Sequence, residues 1–215
     1  DEEEIIEGLT DGKQKRINSK FFYDAYGSEL FDEITKLEEY YPTRSEIQIL
    51  ESSKSEISNF LPNGASVVEF GSGSNIKIKK LIQAIKKTKE YFPVDICKEF
   101  LLVNAREFAR NYPQINVTPI CADFSQIKEI KKIIKNDSNL VGFFPGSTIG
   151  NLVPFYAKEL LKNIAKIIRK NNLLMIGVDI KKEKKILEKA YNDSRGITAK
   201  FNKNVLKRLN RDFKA

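Results

Sequence analysis

Residues 66–74 read SVVEFGSGS, and this stretch decides the fold class. The stretch Ser66–Phe70 is mostly apolar and predicts a short buried strand, and Gly71-Ser72-Gly73 predicts a sharp turn directly after it. Beyond the turn, apolar residues recur at helical spacing from Ile78 to Ile85. The sequence therefore predicts a strand–turn–helix unit whose glycine backbone can approach a ligand closely.

The same alternation of apolar strands and helical stripes continues towards the end of the chain. Further strands are predicted at residues 91–94, 117–121, 140–144 and 173–178. Because helical segments separate these strands, they are expected to pair in parallel through right-handed crossovers. The predicted fold is a Rossmann-like α/β fold with a doubly wound, mostly parallel sheet, and such sheets bind ligands outside the carboxyl ends of their strands.

The composition limits the kinds of site that the chain can contain. Histidine is absent, which excludes histidine–metal sites and triads with a histidine base, and we expect no metal. Cys97 and Cys121 match no CxxC or zinc spacing, so we expect two reduced thiols and a cytoplasmic protein. No apolar run is long enough to span a bilayer, and no membrane partner is expected.

The net charge of +8 comes mostly from lysine. A basic face can attract nucleic acid, and such binding would depend steeply on salt concentration. Aromatic residues do not interleave with the basic runs, as they do in proteins that bind single strands. We therefore favour a solvated basic surface and expect no nucleic-acid partner.

Carboxylates follow two of the other predicted strands. Asp95 lies 24 positions after Gly71 and suits the hydroxyls of a ribose, although it also suits the start of a helix. Asp123-Phe124 suits an adenine, with the acid accepting from the amine and the ring packing on the base, although it also suits a core residue beside a cap. Together with the glycine turn, these residues favour a cofactor that contains adenosine.

The glycine turn itself distinguishes between cofactors. A dinucleotide fold would have a third glycine where this chain has Ile76, which counts against NAD and FAD. The stretch Glu69-Phe70-Gly71-Ser72-Gly73 instead resembles the E-x-G-x-G loop of class I methyltransferases, which bind S-adenosylmethionine. The loop at residues 145–151 reads PGSTIGN and lacks the (N/D)PPY tetrad of enzymes that methylate bases, so a nucleic-acid methyltransferase is disfavoured.

Several longer stretches resemble the L-histidine Nα-methyltransferase family, whose members make the trimethylated histidine hercynine for ergothioneine biosynthesis. The resemblance extends from about Gly8 to the last residue. The stretches are KFFYDAYGSELFD at 20–32, EYYPTRSE at 39–46, FPGSTIGN at 144–151, AYND at 190–193 and GITAKFN at 196–202.

The resemblance implies a role for particular side chains, although none is assigned a certain catalytic role. The positions that match contacts to S-adenosylmethionine, completed by the second glycine of the turn, are Gly71, Gly73, Lys77, Asp95, Asp123 and Phe124. The positions that match contacts to the amino-acid substrate are Tyr40, Gly146, Asn151 and Tyr191. The implied reaction is methylation of the α-amino group of L-histidine, and we expect a monomer.

Three segments are expected from the same resemblance. Residues 1–60 would form an N-terminal helical part of a substrate lobe, residues 61–182 the domain that binds S-adenosylmethionine, and residues 183–215 the start of a substrate-recognition segment. The family continues beyond Ala215, and we expect its last two sheet strands and its imidazole-binding pocket in that part.

Two departures leave alternatives open. Glu38 stands where the family usually has proline, which should affect only a turn. One relative in the family methylates a prenylated tryptophan, so another amino acid or a tryptophan derivative is an alternative substrate. A domain that binds the cofactor without catalysis is the second alternative.

Overall fold

A computed structural model describes residues 2–12, 14–123, 127–134 and 139–213. The helices are α1 Glu2–Thr10, α2 Ala25–Thr35, α3 Tyr41–Ser52, α4 Lys54–Phe60, α5 Ile76–Ile82, α6 Lys98–Asn111, α7 Ile127–Ile133, α8 Pro154–Ile168, α9 Lys184–Tyr191 and α10 Ile197–Phe213. The strands are β1 Ser66–Phe70, β2 Glu90–Asp95, β3 Asn116–Val117, β4 Ile120–Cys121, β5 Leu140–Phe144 and β6 Leu173–Ile176. Two 3₁₀ helices cover Ser19–Phe22 and Thr148–Asn151.

The strands of the described residues pair in parallel in the order β3-β2-β1-β5-β6, with β4 also pairing with β2. The chain builds outward from β1 through β2 to β3 and β4, and then returns to place β5 on the other side of β1. The carboxyl ends of β1 and β5 therefore form the topological switch point where ligands bind in open α/β sheets. The predicted doubly wound fold is confirmed.

The third predicted strand, residues 117–121, is interrupted. Proline lacks the backbone N–H that a strand interior needs, and Pro119 separates β3 from β4 at the edge of the sheet. The N–H of Thr118 still donates to the carbonyl of Tyr91 at 2.9 Å, and the N–H of Ala122 donates to the carbonyl of Asp95 at 3.0 Å. The break therefore leaves the end of this strand beside the end of β2.

Side chains alternate across the sheet, so each face has its own apolar core. Val67 packs on one face with Ile78 of α5, and Val68 packs on the other face with Ile164 of α8. A Cβ at Gly142 would lie 2.9 Å from the Ile168 side chain. The glycine in β5 therefore lets α8 pack directly against the strand beside the switch point.

The N-terminal and C-terminal helices share further apolar clusters. Leu30 and Ile34 of α2 pack with Ala190 and Ile197. A neighbouring cluster joins α1, the first 3₁₀ helix and α10 through Ile5, Phe21, Val205 and Leu209. The N-terminal and C-terminal helices therefore pack against each other. The segment boundaries at residues 60 and 182 stay a prediction.

Among the described helices, none is long and apolar enough to cross a membrane.

Candidate active site

The glycine turn after β1 is joined to the end of β2. Gly71 and Gly73 have φ angles of +73° and +42°, a region that favours residues without a Cβ. The N–H of Gly73 donates to Asp95 Oδ2 at 3.3 Å, and the N–H of Cys97 donates to Asp95 Oδ1 at 2.9 Å. Asp95 therefore binds both the glycine turn and the start of α6. It lies beside the glycines, as predicted, and it also stabilises the start of a helix.

Burial affects the ionisation of this carboxyl. Desolvation raises the pKa of Asp95 above its usual value, and the backbone N–H groups that it accepts from act in the opposite direction. Hydroxyl groups of a ligand that donate hydrogen bonds to this carboxylate would replace the water that burial removes and would stabilise its charged form. The environment of Asp95 thus suits a polar ligand at the end of β2.

Asp123 follows the strand that pairs with the end of β2. Cys121 of β4 pairs with Asp95 of β2, and Asp123 follows two residues later. The ammonium of Lys20 lies 3.6 Å from Asp123 Oδ2 and 2.6 Å from Glu4 Oε2. The N-terminal segment therefore reaches this corner of the sheet. Phe124 lies outside the described residues.

Lys77 and Gly146, predicted for different ligands, meet through a residue that sequence analysis gave no role. Lys77 Nζ lies 2.6 Å from Glu46 Oε2. The N–H of Gly146 donates to both oxygens of the same carboxylate, at 3.0 and 2.9 Å. Glu46 of α3 thus connects the segment after β1 with the loop after β5. It lies within the quoted stretch EYYPTRSE, which was the available signal for it.

The two substrate-binding tyrosines predicted from the resemblance also lie together. The rings of Tyr40 and Tyr191 are perpendicular, with centroids 5.9 Å apart. Tyr40 is 6% exposed and Tyr191 is 53% exposed. Burial raises the pKa of both hydroxyls, and a nearby carboxylate adds to the effect on each, Glu46 for Tyr40 and Asp179 for Tyr191. Both phenols therefore stay protonated at neutral pH and can donate as well as accept hydrogen bonds.

A third tyrosine, Tyr23, interacts electrostatically with a member of each group of residues. Burial raises its pKa to about 12, and the electrostatic influence of both Asp95 and Tyr191 is felt at its hydroxyl. Tyr23 also packs edge-on against Phe31 of α2, with ring centroids 5.5 Å apart. It belongs to the quoted stretch KFFYDAYGSELFD, although the sequence gave no reason to single it out.

The loop after β5 is braced from two sides. Ser147 has a φ of +55°, and its hydroxyl accepts from the N–H of Asp179, which follows β6, at 2.9 Å. The Asp179 carboxylate accepts from the hydroxyl of Tyr41 and from Lys182 Nζ, the latter at 2.8 Å. Burial acts to raise the pKa of Asp179, but these two donors hold it below its usual value. The loop conformation therefore depends on α3 and on the segment after β6.

Asn151 is the predicted substrate residue with the fewest contacts to the other predicted site residues. It ends the second 3₁₀ helix and is exposed. No hydrogen bond joins its side chain to the described side chains of Tyr40 or Tyr191. Its place near Gly146 follows from the short loop that carries both residues. Of the other three predicted substrate residues, Tyr40 immediately precedes α3, Tyr191 packs on Tyr40, and Gly146 donates to Glu46 of α3.

The residues at the switch point fit S-adenosylmethionine. The Ser72 hydroxyl in the glycine turn is buried and has no hydrogen-bond partner among the described residues, a costly state that a ligand can relieve. Space beside Gly73 is open, because a Cβ there would meet nothing closer than 3.9 Å. Lys77 offers a cation for a carboxylate, and Asp95 offers an acceptor for hydroxyls. Over the described ranges, no cluster of residues could hold a metal ion.

The fold and the glycine turn define the class first: this is the fold of class I methyltransferases. A solved structure described as a candidate S-adenosyl-L-methionine-dependent methyltransferase from Methanococcus maripaludis aligns with 91% of this chain and 86% of its own length. Its TM-score is 0.51 at 15% sequence identity. The likeness at this identity concerns the fold.

The chain belongs to the family of histidine-specific, S-adenosylmethionine-dependent methyltransferases, whose model matches residues 1–215. It is 38% identical over 216 residues to the histidine N-alpha-methyltransferase of Mycolicibacterium smegmatis, covering 99% of this chain and 65% of that protein. It is 36% identical over 204 residues to the protein of the same name from Mycobacterium tuberculosis, covering 94% and 62%. The chain thus spans less than two thirds of the length of these relatives.

Proposed function

We propose that this protein transfers a methyl group from S-adenosylmethionine to the α-amino group of L-histidine, forming hercynine for ergothioneine biosynthesis. The convergence of Lys77, Asp95 and Gly146 on the switch point, in a chain of this family, is the observation that carries the proposal. The partner is then a small amino acid, and we expect neither nucleic acid nor membrane to take part. A cytoplasmic monomer is the corresponding proposal for location and assembly.

The cofactor side of the site is assigned by chemistry. Lys77 would bind the carboxylate of the methionine part, while the backbone of Gly71 and Gly73 lets that part approach the sheet. Asp95 would accept from the ribose hydroxyls and Asp123 from the adenine amine. Phe124 is proposed to pack on the adenine. When bound, the cofactor supplies a sulfonium that already activates the methyl group.

The substrate side must present a neutral amine with its lone pair directed at that methyl. Tyr40 and Tyr191 carry protonated hydroxyls, so they can orient polar groups without adding a fixed charge. Asn151 has both a donor and an acceptor and is proposed to hold the amine, while Gly146 lines the same loop. Near-attack positioning of this kind contributes roughly 7–11 kcal/mol in favourable systems.

The segments divide this work in the proposed arrangement. Residues 61–182 would bind the cofactor, and residues 1–60 together with 183–215 would form the substrate lobe. The apolar packing of α2 against α10 supports this division. Partial desolvation beside Tyr40 favours the neutral form of the substrate amine.

Mass spectrometry of histidine tests the proposal directly. The full natural chain is incubated with S-adenosylmethionine and L-histidine, and stepwise mass gains of one CH₂ each, up to trimethylhistidine, are expected. Tryptophan, a prenylated tryptophan and other amino acids are assayed in parallel. Faster methylation of one of these would replace histidine as the substrate. Cofactor binding without any methyl transfer would identify a catalytically silent domain instead.

Replacing Asn151 with Ala tests the proposed amine contact. Removing one partner of a hydrogen bond in a desolvated site costs about 1–3 kcal/mol, so the Michaelis constant for histidine should rise by at least about fivefold. The affinity for S-adenosylhomocysteine, measured by calorimetry, should change less than about twofold. The control is Asn111→Ala, which alters an exposed amide at the end of α6. Equal losses for both ligands would contradict the assigned role.

A further inference from the structure

Glu46 contacts three segments that follow three different strands. Its carboxylate binds Lys77 after β1 at 2.6 Å and accepts from the N–H of Gly146 after β5 at 3.0 and 2.9 Å. It also lies against Gly177, which follows β6, because a Cβ at Gly177 would fall 2.0 Å from Glu46 Oε1. The missing side chain at Gly177 therefore creates the space that this carboxylate occupies.

The arrangement differs from an ordinary ion pair between neighbouring helices. A second pair, Lys80–Glu51, also joins α5 and α3, with side chains 30% and 52% exposed. The Lys77 and Glu46 side chains are only 16% and 17% exposed. Exposed pairs contribute little to stability. The Glu46 carboxylate accepts from both an ammonium and a backbone N–H, so its position is more restricted than that of Glu51 in the exposed pair.

The position of Glu46 also joins the two ligand sites of the proposed reaction. Lys77 belongs to the proposed cofactor site, and Gly146 belongs to the proposed substrate loop. A Cβ at Gly146 would lie 3.3 Å from Lys77 Nζ, so the two groups are close neighbours as well as partners of one carboxylate. A ligand that binds Lys77 would therefore bind a direct partner of Glu46, which contacts the loop.

We infer that Glu46 is a positioning residue that couples cofactor binding to amino-acid binding, an inference that rests on the proposed function. A carboxylate ligand on Lys77 fixes the ammonium, and the ammonium fixes Glu46 against the N–H of Gly146. The loop after β5 is then already ordered when the amino acid binds. The conformational entropy of ordering it is therefore lost only once for the two ligands. By linkage, each ligand must strengthen the binding of the other by the same factor.

The test measures this coupling in the full natural chain. Calorimetry gives the dissociation constant of S-adenosylhomocysteine without histidine and with saturating histidine, and the ratio of the two constants is the coupling factor. A factor of about 5 or more is expected for the unaltered protein. Glu46→Gln keeps the volume and a carbonyl acceptor but removes the charge that binds Lys77, and its factor should fall to within about twofold of one. Glu51→Gln, which alters the exposed pair, should keep the original factor.

The outcomes separate the inference from the proposed function. A coupling factor that Glu46→Gln leaves unchanged would overturn the inference even if the variant melts at a lower temperature. A factor near one in the unaltered protein would also overturn it, while methylation of histidine by that protein would leave the proposed function intact. If Glu46→Gln does not fold, Glu46→Asp provides the same test. The aspartate side chain is one CH₂ shorter, so its carboxylate cannot contact both Lys77 and the N–H of Gly146. Retained coupling in Glu46→Asp would likewise overturn the inference.

Discussion

Lys77→Met is expected to lower the affinity for S-adenosylhomocysteine by about ten- to a hundredfold. Charge-assisted hydrogen bonds contribute about 1.5–3 kcal/mol, and each 1.4 kcal/mol corresponds to a factor of ten in affinity. Lys77 is the cation that contacts Glu46. Its removal therefore takes away the proposed partner of the cofactor carboxylate and leaves the Glu46 carboxylate nearby without its cation. The dissociation constant from calorimetry is the measurement.

Lys79→Met is the matched control for this prediction. Lys79 lies two residues later in α5 and pairs with Glu107 at 2.8 Å on a more exposed surface. The same loss of charge in the same helix should change the affinity by less than about twofold. Raising the salt concentration should weaken cofactor binding less in Lys77→Met than in Lys79→Met. Salt screens the attraction between the Lys77 ammonium and the cofactor carboxylate, and Lys77→Met no longer has that attraction. An affinity preserved in Lys77→Met would remove this residue from the proposed cofactor site.

The sheet was predictable because its signals are local. The apolar run of β1, the glycines after it and the helical stripe of α5 lie within twenty consecutive residues. Asp95 could be assigned to the same edge because parallel strands present their carboxyl ends together. The interruption at Pro119 was visible in the sequence as well, but the spacing of apolar residues around it favoured one continuous strand.

The contacts made by α3 were not predictable in the same way. Glu46 and Gly146 are 100 residues apart, and Tyr41 and Asp179 are 138 residues apart. No local pattern reports where a helix packs across the ends of strands, so a glutamate in a helical stretch resembles any solvated glutamate. Gly177 is a further example, because only the structure shows that Glu46 occupies the space that a side chain at position 177 would need. Tertiary packing decides these contacts.

The E-x-G-x-G stretch contains one more acidic residue whose burial has a measurable consequence. Glu69 is 1% exposed, and its carboxyl is hydrogen-bonded to the hydroxyl of the fully buried Tyr91. Burial raises the pKa of Glu69 well above its usual value, although the Tyr91 hydrogen bond and Lys77 oppose the shift. The folded protein therefore binds a proton at Glu69 at a pH where the unfolded chain has released it.

This difference in proton binding predicts how stability depends on pH. Stabilisation by the protonated carboxyl is complete below the unfolded pKa, near 4.3, and is lost as the pH rises towards the folded-state pKa. Relative to Glu69→Gln, which stays neutral, the unaltered protein should lose up to about 1.4 kcal/mol for each pH unit in this range. Urea unfolding at three pH values measures it.

Glu90→Gln is the control for Glu69→Gln. Glu90 begins β2 and is half-buried, and its carboxylate accepts from the Ser66 hydroxyl at 3.2 Å. The same substitution at Glu90 measures what the exchange of a carboxylate for an amide does at a partly exposed strand position. Glu69→Gln should flatten the pH dependence of unfolding, because the amide retains an acceptor for Tyr91 but no longer titrates. Parallel curves for Glu69→Gln and the unaltered protein would mean that Glu69 is ionised in the fold, with Lys77 outweighing the effect of burial.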